Sequence, residues 1–450
     1  MAQVESDLES DGQTPSLTRR TFLQATLAGS TTALLTNCSM PNTPTPIVKQ
    51  PTTLHWLCEG GYKGDITSIQ LLTQMYNALN NDQVTITVDS GTTYDVLQQM
   101  FTNSDPAKRA QYDILSIDVV WITDVASNGW VIPLDRYWRD YKKNNRYLPI
   151  PLQAASYHDQ LYGAPLHTDV GILYYRTDFA DIIKPENIKS WDDLASMAQE
   201  AQQQYHVPLG FAWQALPFEP AGNVFEGLIC NFVEILFGYG GKIFDNPHSP
   251  SQVLVNSQEA RNALKNMLTW AKTISPGVIN DNADNSTYKW TNGTAAFMRN
   301  WPAAVVDSID HSASSIADKF AITTLPSGGC LGGWQLAINS NSSQVKQDHA
   351  WNFIWWMLQH DAQHYLAIKE NYPVTLTEIY HDEQVTNRNM YYSRIKDYIN
   401  NAQFRPAIPN YQAVTKFIAT MIKNVLTGKA TPEDALPILE AQLQKLIATK

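Results

Sequence analysis

Cysteine is scarce, with four in 450 residues, at positions 38, 58, 230 and 330. Spacing that wide fits neither a disulfide framework nor a zinc site. Cys58, Cys230 and Cys330 read as buried free thiols, and one disulfide among the three stays open. Long apolar runs are also missing. The stretch 22–35 is only modestly apolar and falls short of the roughly 20 residues that a bilayer span needs. Basic runs are absent: 32 Lys and Arg face 43 Asp and Glu, for a net charge of −11 and a pI near 5.4. A nucleic-acid binder needs the opposite balance to offset phosphate charge. No G-x-S-x-G, H-E-x-x-H or phosphate-loop pattern occurs. Among the scattered histidines only His360 and His364 fall at i, i+4, which reads as a polar helix face. No metal and no cofactor is expected.

Aromatics, in contrast, are plentiful: 13 Trp, 21 Tyr and 14 Phe. Most belong in a core, which a chain that is 44% hydrophobic and 17% charged can build. The length favours two domains over one. Flat rings with polar tips also suit a cleft that covers the C–H face of a sugar. Residues 1–37 read as an export signal and not as part of the fold. Thr18-Arg19-Arg20-Thr21-Phe22-Leu23-Gln24 looks like a twin-arginine motif. Leu35-Thr36-Asn37-Cys38 resembles a lipobox, with Asn37 where Gly, Ala or Ser normally stands. Residues 38–51 form a Pro/Thr-rich tether, fit to hold a domain off a membrane to which Cys38 is attached by a lipid.

The folded body starts near residue 52. A β-type run over 53–58 breaks at Glu59-Gly60-Gly61. Helical spacing follows over 65–80, where Ile66, Ile69, Leu72, Met75, Tyr76 and Leu79 share a face. A strand at 84–88, a helix at 94–101 and a buried strand at 112–117 continue the rhythm. Such β-α-β-α-β order implies a parallel sheet covered by helices. Ligands bind at the carboxyl ends of such strands, and Glu59 and Asp118 sit at two of them. Further along, a strand is expected at 171–175. Helices are expected at 191–205 with Ser190 as N-cap, at 225–239 ended by Gly240-Gly241, at 257–273 capped by Ser257, at 350–358 and at 431–449.

Six phrases in order resemble the extracellular solute-binding proteins of sugar ABC importers, in the branch that binds trehalose, maltose and related glucosides. They are Tyr112-Asp-Ile-Leu-Ser-Ile-Asp-Val-Val-Trp121, Tyr162-Gly-Ala-Pro-Leu-His-Thr-Asp-Val-Gly-Ile-Leu-Tyr-Tyr-Arg176, Phe225-Glu-Gly-Leu-Ile-Cys-Asn-Phe232, Asn292-Gly-Thr-Ala-Ala-Phe-Met-Arg-Asn-Trp-Pro302, Leu331-Gly-Gly-Trp-Gln-Leu-Ala337 and Phe404-Arg-Pro406. The resemblance implies an α/β periplasmic-binding-protein fold: two α/β lobes, joined by a multi-strand hinge, with a ligand cleft between them. The implied lobes are 52–165 plus 302–366 and 166–301 plus 367–450, with crossings near 165–168, 301–302 and 365–370. It implies a non-enzymatic, exported monomer that passes a di- or oligosaccharide or glucosyl-polyol, such as trehalose, maltose, sucrose or glucosylglycerol, to ABC permease subunits. An exported glycoside-active enzyme and a binder of a non-sugar solute are the alternatives.

Vicinal hydroxyls call for carboxylates, an arginine fork and aromatic faces. The family resemblance places ligand contacts at Asp118 and Asp169, expected in opposite lobes, and at Glu59, Glu226 and Arg405. His167 stands where an aromatic is usual, two residues before that Asp. Trp301 and Trp334 are the candidate stacking rings. Gly332 and Gly333 are read as leaving open space before Trp334, with the Gly333 amide offered to ligand. Each residue has a plainer reading. Asp118 could cap the next helix, Glu59 could be a solvated loop acid, Glu226 could serve a helix dipole, and both tryptophans could be core. Trp121 and Trp213 fit the core better than the cleft.

Overall fold

A computed structural model describes residues 51–60, 64–80, 83–220 and 222–448. The export signal, Cys38 and the tether up to residue 50 lie outside the described residues. Eleven strands are described: β1 (Thr52–Cys58), β2 (Val84–Ser90), β3 (Ile114–Asp118), β4 (Ser156–Tyr157), β5 (Gln160–Leu161), β6 (Ala164–Val170), β7 (Ile172–Arg176), β8 (Leu209–Ala212), β9 (Ala295–Asn300), β10 (Phe320–Thr323) and β11 (Leu331–Ile338). They form a five-stranded sheet in the order β2-β1-β3-β11-β6, a four-stranded sheet β10-β7-β9-β8, and the small β4-β5 hairpin.

The parallel rhythm read from sequence is present: β1 pairs parallel with both β2 and β3. Local alternation cannot reveal that β11, far along the chain, enters antiparallel between β3 and β6. The chain changes sheet at Gly171, a few residues past the crossing expected at 165–168. It returns between β10 and β11. Two buried clusters fill the interior, one around Trp56, Ile114 and Leu336, the other around Trp191, Phe211 and Phe232. Cys58, Cys230 and Cys330 are buried and free, as their chemistry suggested.

The expected caps appear. The Ser190 side chain accepts from Asp193 N and forms a reciprocal box at the start of Trp191–Gln204, and Ser257 accepts from Ala260 N. The first helix differs from expectation. It spans Thr67–Leu79 and buries Ile69, Leu72, Thr73 and Tyr76, while Met75 and Leu79 are 46% and 61% exposed. At 100° per residue Met75 lies well off that stripe, and Leu79 ends the helix beyond its cover.

Candidate functional site

The carboxyl ends of β1, β3 and β6 and the start of β11 meet at one edge of the first sheet. This follows from direction: β11 runs antiparallel, so its first residues lie where its neighbours end. Trp334 stands directly opposite Asp118 on one side and His167 on the other. Residues opposed across strands share a face, so the three form a row. Glu59 follows β1, and Asp169 lies two residues beyond His167 on β6.

The expectation that Asp118 and Asp169 face each other from opposite lobes does not hold. Both belong to the first sheet, on either side of β11. The reason is that β6 completes this sheet before the chain leaves it at Gly171.

Arg405 gathers two carboxylates. Its Nη2 donates to Asp118 Oδ1 at 3.2 Å and its Nη1 to Glu226 Oε2 at 2.9 Å. The guanidinium is buried, while the Asp118 and Glu226 side chains keep 17% and 21% of their surface. Glu226 opens the helix Glu226–Gly238. It also accepts from Tyr411 Oη at 2.6 Å and Thr415 Oγ1 at 2.9 Å. Burial pushes the Glu226 carboxyl up, against the opposing pull of Arg405. Tyr411 and Thr415 were not among the sequence candidates. Their i, i+4 spacing on the helix Tyr411–Leu426 was visible, but such spacing reads equally as core. Asp118 Oδ1 also accepts Val120 N–H at 3.1 Å, so it supports the following turn as well as holding Arg405.

A cavity of about 220 Å3 adjoins this cluster, lined by Thr93, Tyr94, Asp118, Trp121, Glu226 and Trp334 among others. Trp334 is half-buried, and its ring meets the Trp121 ring edge-on at 5.5 Å and 88°. Trp121 is core by exposure yet reaches the cavity wall, and its indole N–H has no protein partner. Trp213 is fully buried and donates to Ser275 Oγ at 3.0 Å, which makes it core.

The two glycines before Trp334 do not leave open space. A Cβ on Gly333 would lie 2.6 Å from Thr168 Cα, and its φ of +122° is one that side-chain-bearing residues rarely adopt. A Cβ on Gly332 would lie 3.1 Å from Asp169 Cβ and 3.2 Å from Trp301 Cζ3. The glycines admit β6 and the Trp301 ring, and the Gly333 carbonyl accepts Val119 N–H at 3.1 Å. Trp334 reaches the cavity from the carboxyl end of β3, where it pairs with Asp118.

A second polar group lies on the β6 side of Trp334. Glu59 and His167 are each 4% exposed, with Glu59 Oε1 3.4 Å from His167 Nε2. His167 stacks on Tyr372 at 4.1 Å, so this face of the imidazole is covered from within the chain. Burial alone would raise the Glu59 carboxyl, but hydrogen bonding and charge from His167 hold it below its ordinary value. Glu59 Oε2, His167 Nδ1 and Asp169 Oδ1 are buried with no hydrogen-bond partner in the protein. Burial pushes Asp169 up to about 7, against pulls from His167 and Arg299. Trp301 is half-buried, its carbonyl accepting from Tyr174 Oη at 2.7 Å. The unmet carboxylate oxygens of Glu59 and Asp169, beside aromatic rings, are able to take hydroxyl or amine donors. No group of three or more His, Cys, Asp or Glu side chains fit to hold a metal occurs among the described residues.

Residues 72–390 match a family described as bacterial extracellular solute-binding protein. A Deinococcus radiodurans protein named "Probable ABC transporter-binding protein" is 29% identical over 358 residues, 76% of this chain and 81% of that one. A mannitol-binding protein of Pseudomonas aeruginosa is 23% identical over 369 residues, 76% of this chain and 82% of that one. Among solved structures, maltose-bound MalE3 of T. maritima superposes with a TM-score of 0.76 at 26% identity, covering 88% of this chain and all of that one.

Proposed function

The chain belongs to the bacterial extracellular solute-binding proteins, and on that footing we propose that it captures a sugar or polyol and delivers it to the membrane subunits of an ABC importer. The observation that carries this reading is the half-buried Trp334 ring on a cavity wall shared with Asp118 and Glu226. A flat ring covers the C–H surface of a pyranose, and the carboxylates and Arg405 serve its hydroxyls. The maltose and mannitol named for the similar proteins are ligands of this class. Within it, the reading extends to a glucose-containing disaccharide or a glucosyl-polyol. A cavity of about 220 Å3 is below the roughly 300–1,000 Å3 usual for ligand pockets, so the proposal includes opening and closing of the cleft. Export, anchoring through Cys38, a monomeric state and the two discontinuous lobes belong to the same proposal.

Turnover of the sugar is not expected. Asp118 accepts a hydrogen bond from Arg405 and is engaged in that pair. Thermal shift against maltose, trehalose, sucrose, glucosylglycerol and mannitol, with peptides and polyamines as controls and a check for product, tests the reading. A ligand at a hundredfold excess over Kd stabilises by about 2.7 kcal/mol, which is easily seen. A response confined to peptides or amines, or formation of product, would refute it.

Trp334→Ala should weaken binding of whichever sugar responds by roughly 1–3 kcal/mol, the range of base–aromatic stacks. Its ligand-free melting temperature should fall only modestly, whereas a core Trp→Ala costs about 3–5 kcal/mol. Early unfolding with wild-type affinity in the folded fraction would mark Trp334 as core.

A further inference from the structure

One ion pair lies wholly out of water. Arg299 on β9 and Glu234 on the helix Glu226–Gly238 both have no exposed side-chain surface. The guanidinium grips the carboxylate as a fork, with Nε 2.8 Å from Oε2 and Nη2 on Oε1. Glu234 Oε1 also accepts Cys330 N–H at 2.8 Å. The guanidinium carbon stands 4.2 Å from the centre of the Trp301 ring. A Cβ added to Gly171 would fall 2.0 Å from Glu234 Oε1 and 2.5 Å from Arg299 Nη2. So the pair touches the chain at both places where it changes sheet: Gly171 on the way out and Cys330 on the way back.

A buried ion pair is weak as a source of stability, because desolvation cancels most of its attraction and an apolar pair of similar size often does as well. A planar fork does fix direction. The two groups it locks matter to the cleft: the helix that carries Glu226 at its start, and the Trp301 ring beside Asp169. The guanidinium covers one face of that ring.

We propose that Arg299 and Glu234 are positioning residues: their buried pair sets the plane of Trp301 and pins both chain crossings against the helix that supplies Glu226. Neither touches solute. The inference rests on the reading of Trp301 as part of a solute cleft, and its test has one arm that needs no solute.

The test is 19F NMR on protein labelled with 5-fluorotryptophan, with the Trp301 signal identified by its loss in Trp301→Phe. The key variant is Arg299→Met/Glu234→Leu, which replaces the pair by apolar residues of similar size. It should fold, and its Trp301 signal should shift and broaden while the other twelve tryptophan signals largely hold. Its Kd for maltose or mannitol should rise tenfold or more, and Trp301→Ala should then add less than twofold. An unmoved Trp301 signal in the folded double variant overturns the proposal, as does full additivity of the two losses. Should that variant not fold, Arg299→Lys decides by the same signal, because it keeps the charge but not the fork. A moved signal in a protein that binds neither maltose nor mannitol sustains the positioning role and counts against the solute reading instead.

Discussion

Arg405→Met is expected to lower the unfolding free energy by about 3 kcal/mol. Removing one partner of a buried ion pair costs roughly 3–5 kcal/mol, because the other charge is left unmatched. Here two carboxylates lose their shared cation, but Asp118 and Glu226 keep about a fifth of their side-chain surface in water. Glu226 also keeps its bonds from Tyr411 and Thr415. The lower end of the range is therefore appropriate. Urea titration of the ligand-free protein measures it. Adding Glu226→Gln to the variant should return part of the loss, since one of the two unmatched charges is then gone and only Asp118 remains. A change below about 1 kcal/mol in Arg405→Met would show that the guanidinium carries no such burden.

The second large effect concerns pH. Asp169 holds its proton up to about pH 7 in the folded chain, while an unfolded Asp ionises near 3.9. Between those values the folded state binds more protons than the unfolded state, so this group lowers stability as pH rises. The gap of about three pKa units sets an upper limit of about 4 kcal/mol, reached above pH 7. Asp169→Asn removes the ionisation and keeps the shape. The variant should match wild type near pH 4 and exceed it by an amount approaching that limit at pH 8, in urea titrations across the range. The difference between the two proteins is the quantity to read, because Glu59 runs the opposite way: its lowered pKa lends stability that is lost as pH falls. Equal slopes for variant and wild type between pH 4 and 7 would contradict the assignment. The gain should come with weaker sugar binding, since the unmet Oδ1 is among the acceptors assigned to ligand.

Much of this was legible in the sequence, for reasons that are local. Alternation placed β1, β2 and β3, and serine caps marked two helix starts. The rule that ligands meet strand ends points to Glu59 and Asp118. What was hidden depends on contacts far apart in the chain. The glycines before Trp334 looked like open space because sequence cannot say which strand lies against them. Asp169 was assigned to the wrong side of the cleft because nothing near it reveals that β6 closes the first sheet. The Arg405 cluster joins residues 118, 226, 405, 411 and 415, and only Arg405 and the two carboxylates had a motif to announce them.

The position of β11 also bears on how the protein is made. It is the last strand among the described residues, yet it lies inside the first sheet, between β3 and β6. β6 ends at Val170 and β11 at Ile338. At about 5–20 residues per second, roughly 8–34 seconds of synthesis separate the two. During that interval β3 and β6 lack the partner that joins them, and unpaired strand edges are sites of mispairing. Completion of the sheet then waits on a contact spanning more than 200 residues from β3, the kind of long-range closure that slows folding. The nascent first sheet is therefore the part of this chain most in need of a chaperone, and truncations ending before residue 331 should aggregate.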